Sequence, residues 1–529
     1  MADLKAHLAG VAAMLAGAVG LAAPPPARAA DSAPAGCTAG PDACFVLTSL
    51  TIDGVTAYPL KALAPLYADH LAREVSVEDL VRIAQAITDK YRADGYFLSR
   101  AVVPPQTGPR GHARLVVLEG YVGEVEVTGD AAPALEGLLA GLTERRPLRL
   151  ADLEKRLTLA TDLPGVRART IIEPILDDPA RHRLVVRSGL QRWTASLYVD
   201  NRGTRAVGPE QAYARVGLNS LARAGDQLAL SVLTVPDDPD EFAQGELSYG
   251  ASLADGSRLR AAVSASRSRE GTSPLNNTVG NESRALNLRL ARPVVRERKR
   301  ALWAAVAFDA RHVEQTFFNG ARYEDELRVL RGSLQADRWR ASGSTSLFLQ
   351  VSRGLDGLGA SDDVSTAHSR FDADGQFWKV NVAGSHYTDL GSRAGLYVAA
   401  DAQWAPHPLL LSEEFAPGGL PYGRGYNYAE ISGDSGLAGL AEVRVGWDPG
   451  LRPLTFFQSY AFVDAAKVWN RGPVAGARSA AFSSAGAGVR LTFRDKVTLR
   501  VEAARPLTRT PWVAGDKDWR LFASLWAGF

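Results

Sequence analysis

The sequence predicts two small α+β modules followed by a transmembrane antiparallel β-barrel of 16 strands. Three observations lead there. A β-α-α-β-β order occurs twice before residue 190. From Gln191 onward, apolar and polar residues alternate with a period of two to the C-terminus. Fifty Gly and 29 Pro divide the 529 residues into many short elements rather than long helices. The length exceeds one ordinary globular core of roughly 100–200 residues, and 46% hydrophobic with 22% charged residues excludes bulk disorder. Sixty basic against 58 acidic residues leave a net charge of +2, far from the clustered excess of a polyanion binder, so no nucleic-acid partner is expected. Two Cys exclude a Cys-rich zinc module and a disulfide-dense scaffold.

The N-terminus has the layout of a secretory signal peptide. Lys5 and His7 precede an apolar run over residues 8–23, then Pro24 to Pro26 and Ala27-Arg28-Ala29, with cleavage expected after Ala29. No later stretch of ~18 apolar residues occurs, so no transmembrane helix is expected. Export carries the tail, residues 30–44, into an oxidising compartment, where the closeness of Cys37 and Cys44 allows a local disulfide. Two free thiols are the other reading.

The first module spans residues 45–120. Residues 45–52 read as a strand closed by Asp53-Gly54, and Pro59 can open a short helix to about Leu71. Ser76 is a good N-cap, with Glu78 and Asp79 in the first turn. Leu80, Ile83, Ala84, Ile87 and Tyr91 then recur at helical spacing up to Asp94-Gly95. Strands follow at 96–103 and 113–119. The second module, residues 121–189, repeats the order: a strand at 122–128, a helix at 133–142, and another marked by Leu153, Leu157 and Ala160. Leu163-Pro164-Gly165 ends that helix, and strands occupy 166–173 and 183–187.

Tyr91-Arg92-Ala93-Asp94-Gly95-Tyr96, then Val103-Pro104-Pro105-Gln106, then Leu118-Glu119-Gly120 resemble the first POTRA domain of two-partner secretion transporters, the hemolysin secretion/activation family. Asp162-Leu163-Pro164-Gly165-Val166 resembles the second.

Residues 190–529 carry the barrel pattern. Leu228, Leu230 and Val232 alternate; Leu259, Ala261, Val263 and Ala265 do so against Arg260, Ser264 and Ser266, and Leu286, Leu288 and Leu290 against Asn287 and Arg289. A soluble sandwich also alternates, but recurrence over some 340 residues fits a lipid-facing barrel. Sixteen strands would allot ~21 residues each, enough for a span of ~9–11 and a connection. Leu521, Ala523, Leu525, Ala527 and Phe529 share one face of the last strand, and a terminal Phe529 resembles the outer-membrane assembly signal.

The most specific segment is Glu414-Phe-Ala-Pro-Gly-Gly-Leu-Pro-Tyr-Gly-Arg424-Gly425-Tyr426, followed by Ser432-Gly-Asp-Ser-Gly436. It resembles the loop of this superfamily whose Arg-Gly-Tyr tip folds back into the lumen, here within residues 412–436. Gly423 stands where the family usually has an aliphatic residue. Residues 460–469 resemble the strand that receives the loop, which implies that Asp464 pairs with Arg424, a guanidinium being able to grip a lumen carboxylate bidentately. Tyr198-Val-Asp-Asn-Arg-Gly203 resembles the first barrel strand and turn.

Other chemistry is weakly marked. Gly433-Asp434-Ser435-Gly436 and Thr366-Ala367-His368 are similar to segments of trypsin-like proteases, but Leu437 breaks the oxyanion-hole glycine run. The eight His are scattered, so no metal and no cofactor are expected. Asn276-Asn277-Thr278 is a formal glycosylation sequon, read as incidental. The cluster from Arg296 to Arg300 is read as a turn facing lipid headgroups or solvent.

The resemblance therefore implies a non-enzymatic outer-membrane pore with periplasmic POTRA domains. Its partner would be a secreted exoprotein with an N-terminal secretion domain, captured by strand addition to a sheet edge. Outer-membrane lipids and the barrel assembly machinery would be its other partners. Only a short tail precedes the first POTRA domain, so the long plug helix of some relatives is expected to be absent or reduced. A barrel-assembly insertase of the same superfamily is the alternative, and a passive porin a third.

Overall fold

The computed structural model describes residues 44–106, 111–204, 208–269, 278–317, 322–361, 364–472 and 478–529. The expected signal peptide, the site of any plug helix, Cys37, Asn276 and Asn277 lie outside the described residues. Cys44 is disulfide-bonded.

The first unit contains β1 (Phe45–Val46), β2 (Ser49–Asp53), β3 (Glu74–Val75), helix α1 (Val77–Ala93), β4 (Arg100–Val102) and β5 (His112–Leu118). α1 begins where its cap predicts: Ser76 Oγ accepts from the Asp79 amide at 3.2 Å, and the Asp79 carboxylate accepts from the Ser76 amide at 2.7 Å. Its face of Leu80, Ile83, Ala84, Ile87 and Tyr91 is buried against Leu115 and Val117. The helix expected after Pro59 is instead three 3₁₀ turns, Leu60–Ala62, Ala64–Leu66 and Ala68–His70. Pro65 explains this, because it has no amide to donate and disfavours an α conformation at the residue before it. The strand expected at 96–103 shortens to β4, since Tyr96 to Ser99 form a turn closed by the Ser99 amide on the Tyr96 carbonyl at 3.1 Å.

The second unit holds β6 (Tyr121–Gly129), α2 (Ala132–Leu139), α3 (Leu150–Thr161), β7 (Val166–Ile175) and β8 (Asp178–Leu190). Its sheet order, β6-β8-β7, repeats β2-β5-β4 of the first unit. In both, the central strand is parallel to the first and antiparallel to the other. The units are tied by the Leu148 amide on the Gly120 carbonyl and the Leu150 amide on the Gly95 carbonyl, at 3.0 and 2.8 Å.

Sixteen antiparallel strands then close a barrel: β9 (Trp193–Asp200), β10 (Gln211–Asn219), β11 (Asp226–Thr234), β12 (Phe242–Ser252), β13 (Arg258–Ser268), β14 (Thr278–Arg296), β15 (Arg300–Phe317), β16 (Arg322–Arg340), β17 (Gly343–Gly354), β18 (Trp378–Asp389), β19 (Ala394–Trp404), β20 (Ser435–Trp447), β21 (Leu454–Trp469), β22 (Ser479–Phe493), β23 (Val497–Pro506) and β24 (Arg520–Gly528). β24 pairs with β9, and the Phe529 amide continues that seam onto the Ala195 carbonyl at 2.9 Å. Closure leaves no strand edge toward lipid, where an unpaired backbone group would cost several kcal/mol. The expected alternation sets the faces. Leu230, Val263, Leu286, Leu288, Leu290, Val306 and Leu330 point outward and are exposed.

Short turns and the second unit share one end of the barrel. Arg296, at the end of β14, grips Asp162 after α3 through two contacts of 2.7 Å, and Arg258 of β13 adds one at 3.0 Å. The Arg296 turn therefore meets a protein carboxylate, not lipid headgroups. The long connections lie at the other end, among them residues 405–434 and the described residues 355–361, 364–377, 470–472 and 478.

Candidate functional site: the lumen loop

Residues 405–434 join β19 to β20. Pro406, Pro408, Pro417 and Pro421 and the glycines of the tip keep this segment from forming a strand, and it is held by buried charges at three levels. At the first, Glu413 is 2% exposed between Arg331 of β16 and Lys379 of β18, both at 2.7 Å. Arg331 also binds Asp309 of β15 at 2.5 Å. At the second, Asp434 is fully buried and accepts from Arg370, the Leu409 amide and the Arg471 amide at 2.6, 2.7 and 2.6 Å. Arg370 also binds Asp372, Glu414 and the Arg471 carbonyl. One guanidinium thus ties together all three connections, 355–377, 405–434 and 470–478. The segments similar to a protease motif are accounted for by such contacts. Asp434 is this anchor, and His368 Nδ1 lies 2.9 Å from the Glu324 carbonyl.

Above the base, paired amide contacts between Phe415 and Gly433 at 2.8 and 3.0 Å close a neck. The chain then turns into the lumen. Gly423 has φ +93°, and a Cβ there would fall 2.6 Å from the Phe482 ring, so the Phe482 ring occupies the space that the family's aliphatic side chain would need. Tyr426 stacks on the same ring, with centroids 4.5 Å apart, and its hydroxyl reaches the Ser483 and Arg509 carbonyls at 3.0 Å. Gly425 donates to Ser484 Oγ at 3.1 Å.

Arg424 is 4% exposed and sits over the Phe462 ring. Its guanidinium binds Glu442 of β20 at 2.6 Å and Glu502 of β23 at 3.3 Å. This corrects the expected bidentate pair. Asp464 of β21 does contact Arg424, but through its backbone amide at 3.0 Å. The reason is reach. Asp464 is short and already accepts from Ser484 Oγ at 2.5 Å beneath the tip's backbone, whereas the guanidinium extends across Phe462 to acids on strands flanking β21 and β22.

The two glutamates are shared. Glu442 also binds Arg444 and Arg490 at 2.6 and 2.9 Å. Glu502 also binds Arg202 and Arg500, and accepts from the Tyr460 hydroxyl at 2.8 Å. Five guanidiniums around two carboxylates leave an excess of three positive charges, or two once Asp464 is counted. Arg202 lies just beyond β9, in the segment that resembles the first strand and turn, and donates to the Arg424 carbonyl at 3.3 Å. Sequence reading missed Glu442, Glu502, Arg490 and Arg500. Their signal was inward parity: Glu442 shares a face with Leu440 and Ala438, and Glu502 with Ala504.

In the first unit, Glu119 accepts from the Thr56 and Ala57 amides at 2.8 Å, from the Thr56 hydroxyl, and from the Tyr91 hydroxyl at 2.7 Å. Burial works against its charge, yet these hydrogen bonds outweigh burial and hold the carboxyl below the usual glutamate range. The resemblance motifs around Tyr91 and Glu119 thus mark a staple across this unit.

Residues 184–491 match the family described as haemolysin secretion/activation protein ShlB/FhaC/HecB, and residues 45–120 match the ShlB-type POTRA domain. The heme/hemopexin transporter protein HuxB of Haemophilus influenzae is 25% identical over 385 residues, 71% of this chain and 67% of its own length. The structure of CdiB from Escherichia coli superposes with a TM-score of 0.75 at 21% identity, covering 96% of this chain and 93% of that one. That of BamA from Haemophilus ducreyi, lacking POTRA domains 1–3, does so at 0.52 and 13% identity, covering 92% and 100%.

Proposed function

Because the chain belongs to the ShlB/FhaC/HecB family of haemolysin secretion/activation proteins, we propose that it is an outer-membrane pore that recognises and secretes a partner exoprotein in two-partner secretion. The POTRA units lie on the periplasmic face, and the barrel spans the outer membrane. The observation that carries the reading is the lumen loop, whose tip is bonded to β20, β21, β22 and β23 at once while its base is tied to the extracellular connections. Such a loop is held by many modest contacts rather than by continuous sheet. It can therefore yield to a passing chain without loss of the barrel.

The cargo is an exoprotein with an N-terminal secretion domain, taken up unfolded. Each POTRA sheet leaves edge strands, β2 and β4 in one and β6 and β7 in the other, to which an extended segment can add. Folding outside makes transport directional, with no nucleotide, cofactor or catalytic step, and no nucleic acid takes part. Phe529 presents the terminal strand to the barrel assembly machinery, and the outward apolar face meets outer-membrane lipids. Deletion of residues 45–120 tests this. The truncated chain should insert as a heat-modifiable barrel while its cargo stays in the periplasm. Normal cargo export by that deletion would overturn the reading.

A further inference from the structure

The outward face of β15 and β16 carries a group that pore function does not use. Parity places it: Asp309 and Arg331 face the lumen, while Val306 and Leu330, 55% and 44% exposed, face lipid. His312 shares the outward parity of Val306, and Glu324 and Glu326 that of Leu330. His312 stands directly opposite Glu326 in the register, and Glu324 is two residues along the same face. This group lies at the end of the barrel that bears the long connections, above the apolar belt. It borders a surface depression of about 650 Å³ floored by Gly245, Ala265 and Ala310.

We propose that His312, Glu324 and Glu326 form a binding site for one divalent transition-metal ion. His312 Nδ1 lies 2.7 Å from Glu326 Oε1 and 3.7 Å from Glu324 Oε1. A tetrahedral ion with bonds of ~2.1 Å needs ligand atoms ~3.4 Å apart. The two His312 distances bracket that value, and all three ligand atoms lie within 4.8 Å of one another, so rotamer adjustment of these partly exposed side chains admits the ion. The two strands are hydrogen-bonded on both sides within a closed barrel, which fixes the ligands' backbone. Arg328 holds the other Glu326 oxygen, Oε2, at 2.8 Å, orienting the carboxylate and leaving Oε1 for the ion. At the end of β14 to β16 that bears the long connections, the outward faces carry Glu282, Glu314, Glu324 and Glu326 against Arg284, Arg322 and Arg328, so the local charge does not oppose a cation. One imidazole with two carboxylates suits Zn²⁺ or Cu²⁺ better than Ca²⁺ or Mg²⁺, which take oxygen-only sets. Glu324 is 50% exposed, so a fourth position stays open to solvent. Sequence spacing does not reveal the set, because His312 and Glu326 are 14 residues apart on different strands.

Titration calorimetry of Zn²⁺ into the purified full chain in detergent tests the site. The expected result is one equivalent bound, weakened roughly tenfold or more by His312→Ala and by Glu326→Gln. Cu²⁺ bound to the wild type should show hyperfine coupling to a single nitrogen, lost in His312→Ala. Heat-modifiable migration verifies that each variant is folded. Absence of saturable Zn²⁺ binding in the wild type, or unchanged binding in folded His312→Ala, would overturn the proposal.

Discussion

Arg424→Ala removes the side chain that holds the loop tip against two strands of the lumen wall. An isolated buried ion pair broken on one side commonly costs about 3–5 kcal/mol, because a charge is left unpaired. That figure is an upper bound here. Glu442 keeps Arg444 and Arg490, and Glu502 keeps Arg202, Arg500 and the Tyr460 hydroxyl. What is lost is two charge-assisted hydrogen bonds and the cation–π contact on Phe462. At about 1.5 kcal/mol for the shorter bond, less for the longer one, and about 1 for the ring contact, the docked loop loses about 3 kcal/mol. This shifts the docked-to-undocked ratio by roughly a hundredfold. The tip keeps its backbone contacts to Asp464 and Ser484, so it should sample undocked states without losing its register entirely. The barrel should remain heat-modifiable. Single-channel conductance in planar bilayers should become larger or noisier, and cargo secretion should fall. The geometry further predicts that the exchange Arg424→Asp with Asp464→Arg does not rescue secretion, since the guanidinium and Asp464 do not meet. Wild-type conductance and secretion by Arg424→Ala would refute the reasoning. Rescue by the exchange would refute the placement of the side chain.

Three further outcomes follow from other parts of the structure. Arg370→Ala should free the connection that carries Arg370 from Asp434, Glu414 and the Arg471 carbonyl and leave two buried acids without their cation, so external protease should cut within residues 405–434 of the variant faster than in the wild type, with the barrel intact. Gly423→Leu should displace the Phe482 ring and strain a left-handed backbone position, costing of order 1–3 kcal/mol in tip docking. It should therefore resemble Arg424→Ala in conductance. Glu119 has a depressed pKa in the folded state, so its contribution to the first unit is fully present above the unfolded glutamate value and is lost as pH falls through the folded value. Amide protection factors in residues 45–120 of the full chain should fall below about pH 4, and Glu119→Gln should flatten that dependence.

What the sequence by itself determined is what short-range physics controls. A period-two pattern assigns each barrel residue to lipid or lumen, because consecutive side chains on a strand must oppose each other. Leu286, Leu288 and Leu290 could be placed outward from three letters of spacing. Ser76 and Asp79 announced the start of α1 because both halves of the capping box lie within one turn. The Arg-Gly-Tyr tip was legible only through its resemblance to the superfamily's lumen loop, not through any local period or spacing. Tertiary structure decided the partners. Arg424 meets Glu442 and Glu502 only because closure and register bring β20 and β23 beside the tip, at separations of 18 and 78 residues. Asp464, the acid nearest in the motif, takes the amide instead, since Ser484 and the tip's backbone reach it first. Arg370 holds Asp434 for the same reason: three connections converge there, and convergence is a property of the closed sheet. A lumen acid and a lumen arginine carry no local mark of each other, so parity could say that both face inward but not that they touch.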